Sequence, residues 1–205
     1  MLYIIGKIVM FPFLSLLLRP RIINRSGLKV KGPVIYAPNH FSMGDPILLG
    51  VFCPRLIWFL AKESLFGTVW QRLLWRLLHV TPASENGNSL AAVKKAVGFL
   101  KKGKAFGIFP EGHRCSNKGA IDEIERGCAF IALKSGAPIV PVYFDPMAWH
   151  SFRLFGAVGE PLDPAQFADI KGGVKPVDAL TRALAASLNG LRDQTEQLMR
   201  EKKRA

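Results

Sequence analysis

A histidine and an aspartate with four residues between them, His40 and Asp45, form the most chemically informative pair in this chain. The apolar run at 34–37 predicts a buried strand, and Asp45 followed by Pro46 predicts the N-cap and first turn of a helix. His40 then lies in a tight loop, where an aspartate can accept a hydrogen bond from one imidazole nitrogen and leave the other free to take a proton. The pair predicts a general base, with a purely structural hydrogen bond as the alternative.

A second polar segment follows the short apolar stretch at 105–109, reads Pro-Glu-Gly-His-Arg and ends at Arg114. Its glycine, Gly112, lets the backbone turn closely, and Arg114 carries a rigid fork of N–H donors that suits a phosphate. Polar groups at the ends of two strands meet at one edge of a sheet, where open α/β folds bind their ligands. The apolar stretch at 139–143 predicts a further strand. The sequence therefore places phosphate-binding groups at the same edge as His40.

The composition indicates one domain that associates with a membrane. The 205 residues suffice for a single unit with a sizeable core. A net charge of +13 indicates affinity for a polyanion, and a hydrophobic fraction of 49% favours an anionic bilayer over nucleic acid. An odd number of cysteines without metal-ligand spacing fits a reducing cytoplasmic setting; they are Cys53, Cys115 and Cys128. Cys115 adjoins an arginine and is a candidate nucleophile, but a histidine that activates the substrate's hydroxyl needs none.

The N-terminal segment is a candidate membrane anchor. Residues 1–18 are almost entirely apolar, and two arginines follow within three residues. A helix of this length reaches about 27 Å, at the lower limit for a hydrocarbon core of about 30 Å, and Pro12 interrupts it. We expect residues 1–28 to form a monotopic or shallowly inserted membrane-associating segment, and residues 29–205 to form the catalytic domain. A true span and a helix that covers the protein's own core are the alternatives.

These motifs, in this order, resemble those of the glycerolipid acyltransferase family, which includes bacterial 1-acylglycerol-3-phosphate acyltransferases. The resemblance rests on the His-to-Asp block at 40–45, on Phe-Pro-Glu-Gly with an arginine at 109–114, and on Ala-Leu-Lys-Ser-Gly-Ala-Pro-Ile-Val-Pro-Val at 132–142. It implies a glycerol-3-phosphate acyltransferase-like α/β fold with a mixed, largely parallel central sheet flanked by helices, preceded by a membrane-associating helix. Helical stretches that alternate with short buried strands predict the same class.

The resemblance also implies a reaction. A fatty acyl group would pass from acyl-CoA or acyl carrier protein to the hydroxyl of 1-acyl-sn-glycerol-3-phosphate, giving phosphatidate for phospholipid biosynthesis. His40 would take the hydroxyl proton and Asp45 would orient the imidazole. Arg114 would hold the phosphate of this lysophospholipid acceptor, with Glu111 and Gly112 shaping the glycerol pocket. No metal or cofactor is expected, and the expected location is the cytoplasmic face of the cell membrane.

Several positions depart from the family pattern and leave the acceptor open. His113 stands where relatives commonly have Thr or Ser, and Ala83 stands where a motif usually ends in arginine. Glu125 precedes Arg126 in place of a phosphate-binding lysine, and Arg126 is the expected substitute. A same-fold enzyme that acylates a lyso-ornithine lipid or glycerol 3-phosphate is therefore the nearer alternative. A non-catalytic basic module that binds membranes or nucleic acid through charge is the more distant one.

Overall fold

The computed structural model describes residues 2–83, 89–115, 121, 123–168 and 173–204. The strands in these ranges are β1 (Arg21–Ile23), β2 (Val34–Pro38), β3 (Ile57–Lys62), β4 (Val80–Ala83), β5 (Ala105–Gly107), β6 (Ile139–Phe144) and β7 (Phe155–Val158). The α-helices are α1 (Leu2–Leu18), α2 (Asp45–Phe52), α3 (Val69–Leu77), α4 (Ser89–Lys101), α5 (Gly127–Ser135), α6 (Ala148–Ser151) and α7 (Pro176–Arg204).

The strands form a single sheet in the order β1-β7-β6-β2-β5-β3-β4. Every neighbouring pair is parallel except β6 and β7, which run antiparallel. The predicted α/β class with a mixed, largely parallel sheet is confirmed. Because β2, β3, β5 and β6 run in the same direction, their C-terminal ends meet at one edge, named here the carboxyl edge.

Helices bury both faces of the sheet. On β2, Val34 and Tyr36 pack into one cluster with residues of α1 and α2. The alternate residues Ile35 and Ala37 pack into a second cluster with residues of α4, α5 and α7. A strand covered on both faces has no polar side, which explains why the strands are continuous apolar runs in the sequence.

Helix α1 is buried along one side and exposed along the other. Leu14 and Leu18 belong to the core, and the ammonium group of Lys7 donates to the backbone carbonyls at the end of α2. Large apolar side chains on the opposite side are exposed: Ile4, Ile5, Ile8, Val9, Phe11, Phe13, Leu16 and Leu17. Among the helices that the structure describes, none is long and apolar enough to cross a membrane.

Candidate active site

The carboxyl edge brings the two polar motifs together, because β2 and β5 are adjacent and parallel. His40 follows the end of β2, and Glu111 follows the end of β5. The Oε2 atom of Glu111 accepts the backbone N–H of His40 at 2.9 Å, and the backbone N–H of Cys115 donates to the carbonyl of His40 at 2.8 Å. The second motif therefore holds the backbone of His40 through both its N–H and its carbonyl.

The predicted histidine and aspartate are in contact. His40 Nδ1 lies 3.2 Å from Asp45 Oδ2, and the same oxygen accepts the backbone N–H groups of Phe41 and Ser42 at 2.7 Å each. The N-cap prediction for Asp45 was wrong, because Gly44 takes that position and the Asp45 carboxylate turns back onto the preceding loop. With Nδ1–H donated to Asp45, the nitrogen left to accept a proton is Nε2.

The imidazole of His40 is supported by an aromatic ring. Phe109, just beyond β5, stacks on it with the ring centroids 4.0 Å apart and the planes at 26°. The His40 side chain keeps 16% of its surface exposed, whereas that of Asp45 keeps 8%. The pair is thus shielded at the carboxylate and open at the imidazole, the arrangement that a base acting on an external hydroxyl requires.

Asn39, which the sequence analysis did not select, ties the loop that carries His40 to β6. Its side-chain amide donates to the carbonyl of Phe144 at 2.9 Å, and its side-chain oxygen accepts the N–H of Phe144 at 2.8 Å. Asn39 is buried, so these two bonds satisfy groups that water cannot reach. The available signal was a polar residue at the end of a buried strand, because such a residue must find partners inside the protein.

The loop between His40 and Asp45 packs against an indole. A Cβ atom at Gly44 would lie 2.4 Å from Cε2 of Trp149, a residue of α6. No real Cβ sits this close to another heavy atom, so only glycine leaves room for the ring. The sequence offers no signal for this contact, since nothing local links two positions so far apart in the chain.

Both the backbone conformation at position 112 and the neighbouring side chain require a glycine there. Its φ of +71° lies in the left-handed region, and an added Cβ would lie 2.7 Å from Oε1 of Glu125. The backbone N–H of Glu125 donates to the carbonyl of Pro110 at 2.8 Å, which holds the two segments together. The close turn that the sequence predicts at Gly112 is therefore present.

The two arginines predicted to bind phosphate, Arg114 and Arg126, differ in their contacts with the rest of the protein. Arg114 is exposed, as is the neighbouring His113, and Arg114 forms no ion pair with another residue in the described ranges. Arg126 is 73% exposed at its side chain, but its Nε lies 2.9 Å from Oδ1 of Asp178 on α7. Arg114 is thus the freer of the two guanidinium groups for an anionic substrate.

Glu111 lies beneath the loop that carries His40 and binds its backbone. It is fully buried, and Oε2 is engaged by the backbone of His40.

The three cysteines, all of which the structure describes, are buried and are not joined in disulfides, and burial raises the pKa of the Cys128 thiol to about 12. Within the described part of the chain, no group of three or more His, Cys, Asp or Glu side chains could hold a metal ion.

The chain is similar to several named acyltransferases. A family model described as Acyltransferase matches residues 19–145. The 1-acyl-sn-glycerol-3-phosphate acyltransferase of Bacillus subtilis (strain 168) is 30% identical over 184 residues, which cover 87% of this chain and 90% of that protein. A protein of the same name from Borreliella burgdorferi is 32% identical over 117 residues, covering 55% of this chain and 45% of that relative.

A solved structure shares the fold. The crystal structure of the 1-acyl-sn-glycerophosphate (LPA) acyltransferase PlsC from Thermotoga maritima matches with a TM-score of 0.68. The sequence identity is 20%, and the match covers 95% of this chain and 81% of that chain. At this identity the likeness shows the fold alone.

Proposed function

The chain belongs to the acyltransferase family, and we propose on that basis that it transfers a fatty acyl group from an acyl thioester to the free hydroxyl of 1-acyl-sn-glycerol-3-phosphate, forming phosphatidate. The observation that carries the proposal is the contact between His40 Nδ1 and Asp45 Oδ2, 3.2 Å, at the carboxyl edge. The name of the Bacillus relative, which matches nearly the whole chain, supports this choice of acceptor.

His40 acts as the general base. Its Nε2 accepts the proton of the acceptor hydroxyl as the hydroxyl oxygen attacks the thioester carbonyl carbon. The ionised Asp45 stabilises the imidazolium that forms and keeps its orientation through the hydrogen bonds to the loop. The tetrahedral intermediate collapses with cleavage of the C–S bond, and the imidazolium returns its proton to the leaving thiolate. Acyl-CoA or acyl carrier protein enters as a co-substrate, and the proposed steps call for no cofactor.

Arg114 binds the phosphate of the acceptor. Its guanidinium is exposed, lies on the segment that follows β5, and presents paired N–H donors to phosphate oxygens. Gly112 shapes the turn that carries Arg114, and Glu111 shapes the glycerol pocket by fixing the backbone around it. Arg126 contributes a weaker attraction in place of the missing lysine, because Asp178 already neutralises part of its charge.

The carboxyl edge works at the surface of a bilayer, with the segment 1–28 bound peripherally to the cytoplasmic face of the cell membrane through α1, while β1 of the same segment belongs to the sheet. The exposed apolar side of α1 supports this, as do exposed apolar residues on α3, namely Val69, Trp70, Leu73 and Leu74. His79, just after α3, stacks on Tyr3 of α1 with ring centroids 4.9 Å apart. Burial of the apolar side chains in the bilayer and attraction between the net charge of +13 and anionic headgroups would both strengthen binding to an anionic membrane.

A substrate panel with the purified full-length protein tests the proposal. 1-Acylglycerol-3-phosphate, glycerol 3-phosphate and a lyso-ornithine lipid would each be supplied with acyl-CoA or acyl carrier protein, and both free thiol and acylated product would be measured. Phosphatidate formation from the first acceptor is expected. Faster acylation of another acceptor would correct the substrate, and no thioester cleavage with any acceptor would contradict the enzymatic function.

A further inference from the structure

A cleft lies at the C-terminal end of α1, and the proposed reaction does not use it. We propose that this cleft binds the phosphate headgroup of an anionic membrane phospholipid. The cleft has a volume of about 440 Å³. Four apolar side chains and two arginines dominate its lining: Phe13, Leu16, Leu17, Phe152, Arg19 and Arg153.

The two arginines of the cleft are unpaired within the described ranges. Arg19 and Arg153 are both exposed, and neither forms an ion pair with any other residue that the structure describes. Two guanidinium groups that line one cleft offer paired N–H donors to the oxygens of a phosphate. Because no carboxylate in the described part of the chain pairs with these arginines, both remain available to bind an anion from outside the protein.

The backbone of the cleft is held in an unusual conformation at two corners. Arg19 has a φ of +42° and Phe152 a φ of +51°, both in the left-handed region that bulky residues rarely adopt. Leu154 links the two segments, because its N–H donates to the carbonyl of Leu18 and its carbonyl accepts the N–H of Arg21, each at 2.7 Å. The cleft is therefore built into the junction between α1 and β7.

The cleft lies at the same edge of the sheet as the active site, because its residues 151–153 precede β7, which runs antiparallel to β6. Phe155, the first residue of β7, accepts the N–H of Asp145 at 2.9 Å, just beyond the end of β6. The residue before Asp145 is the one that Asn39 binds, and Asn39 adjoins His40. A headgroup held in the cleft would therefore turn the carboxyl edge towards the bilayer.

The apolar lining selects a lipid over a soluble anion. Leu16 is 78% exposed, Phe13 59% and Phe152 56%, so a small anion bound to the arginines would leave these side chains in water. In a bilayer the same side chains enter the boundary between headgroups and acyl chains, while arginine keeps its charge at the phosphate level. Leu16 and Phe13 also continue the exposed side of α1, so the inference rests on the proposed membrane association of that helix.

Vesicle flotation of the full-length protein tests the cleft. The variant Arg19→Gln/Arg153→Gln removes two charges there, and Lys101→Gln/Lys102→Gln removes two charges at the opposite edge, just before β5. Vesicles would contain phosphatidylcholine alone or phosphatidylcholine with phosphatidylglycerol. The arginine variant is expected to bind the anionic vesicles about tenfold to thirtyfold more weakly, since each charge near the headgroups contributes on the order of 1 kcal/mol. The lysine variant should bind within about twofold of the wild type.

If both double variants lost the same amount of binding to anionic vesicles, the effect would come from net charge alone and the proposal would be overturned. Arg153→Glu is the second test, because it leaves the left-handed backbone of Arg19 untouched and also changes the charge of the cleft by two units. A loss of similar size is expected. The cleft could instead hold the acyl acceptor. Kinetics with a short-chain, water-soluble acceptor in the absence of vesicles distinguish this occupant from a membrane headgroup. Unchanged kcat/KM with this acceptor supports a headgroup site, whereas a raised KM would overturn it. Flotation measures vesicle binding without any enzymatic turnover. A failure of the headgroup proposal can therefore be distinguished from a failure of the proposed acyl transfer.

Discussion

Glu111 and His40 belong to two different strand ends, yet the carboxylate of Glu111 accepts the backbone N–H of His40 at 2.9 Å. The bond is removed from water because Glu111 is fully buried. From its motif, Glu111 is expected to shape the glycerol pocket. Its position in the structure supports a role as a positioning residue that fixes the backbone from which the imidazole projects.

Replacing Glu111 should affect turnover more than acceptor binding. Glu111→Gln keeps an oxygen that can accept the His40 N–H, so a modest loss is expected. Glu111→Ala leaves that N–H without its partner and should lower the free energy of unfolding by about 1–3 kcal/mol, together with a larger fall in kcat. Urea denaturation and steady-state kinetics measure both effects. An increase in acceptor KM alone, with kcat retained, would make Glu111 a substrate contact instead.

Asp45→Asn should lower kcat by at least about 10²-fold, because an amide cannot serve as an ionised acceptor for the imidazole and can favour the wrong tautomer. The side-chain oxygen of the introduced asparagine would still be able to accept from the backbone of Phe41 or Ser42, so the loop should fold. Circular dichroism and thermal unfolding check the fold, and product formation checks the rate. Wild-type turnover in this variant would remove Asp45 from the mechanism.

Gly44 and Trp149 should be energetically coupled. Gly44→Ala forces the indole away and should disturb the loop that carries His40, lowering kcat. Trp149→Leu makes room for the added methyl group, so the double variant should recover part of the activity that Gly44→Ala alone loses. Residues in contact show coupling of about 0.5–3 kcal/mol in such a cycle. Purely additive effects on stability and kcat would show that the contact does not position the loop.

Arg114→Lys should raise the KM for the acceptor far more than the KM for the acyl donor, since lysine cannot reproduce paired hydrogen bonds to a phosphate. Arg126→Lys is the comparison and should have a smaller effect, because Asp178 already engages Arg126. Kinetics with each substrate varied in turn measure the difference. An effect of Arg114→Lys confined to the donor would assign this residue to the thioester pocket.

His79 should make stability depend on pH. It stacks between Tyr3 and Trp58, and burial, together with the charge of Lys104, lowers its pKa below the ordinary value of 6.5. The unfolded chain therefore binds a proton at His79 more tightly than the folded protein does. The free energy of unfolding is highest above about pH 6.5, and part of it is lost as the pH falls through the pKa that His79 has in the folded protein. His79→Asn, which tolerates the φ of +58°, should flatten this dependence. Identical slopes in denaturation series of both proteins would refute the assignment.

The sequence is sufficient to predict features that depend on local pattern. The apolar runs predicted β2 and β6, and the spacing of His40 and Asp45 predicted the central pair, because a strand end and a helix start are defined by nearby residues. The alternation of helical stretches with short buried strands predicted the mixed, largely parallel sheet, and the family resemblance implied the same class. The position of Asp45 within its helix was missed by one residue, since its carboxylate binds the preceding loop and does not cap α2.

Features that depend on distant parts of the chain could not be predicted. The bonds of Asn39 to Phe144 and the packing of Gly44 on Trp149 exist only after β2, β6 and α6 are assembled. The pairing of Arg126 with a residue of α7 is of the same kind. Periodicity and spacing carry no information about which distant side chain fills a given space, so these contacts required the tertiary structure.

His40→Ala most directly tests the central claim that His40 is the base for acyl transfer to 1-acylglycerol-3-phosphate. Alanine keeps the backbone N–H and carbonyl that Glu111 and Cys115 bind, so folding and vesicle binding should stay near wild type. Phosphatidate formation should fall by about 10²–10⁴-fold. Cys115→Ser is the control and should remain active. Near-normal turnover in His40→Ala, or an inactive Cys115→Ser with acyl-enzyme trapped in the wild type, would contradict the proposed mechanism.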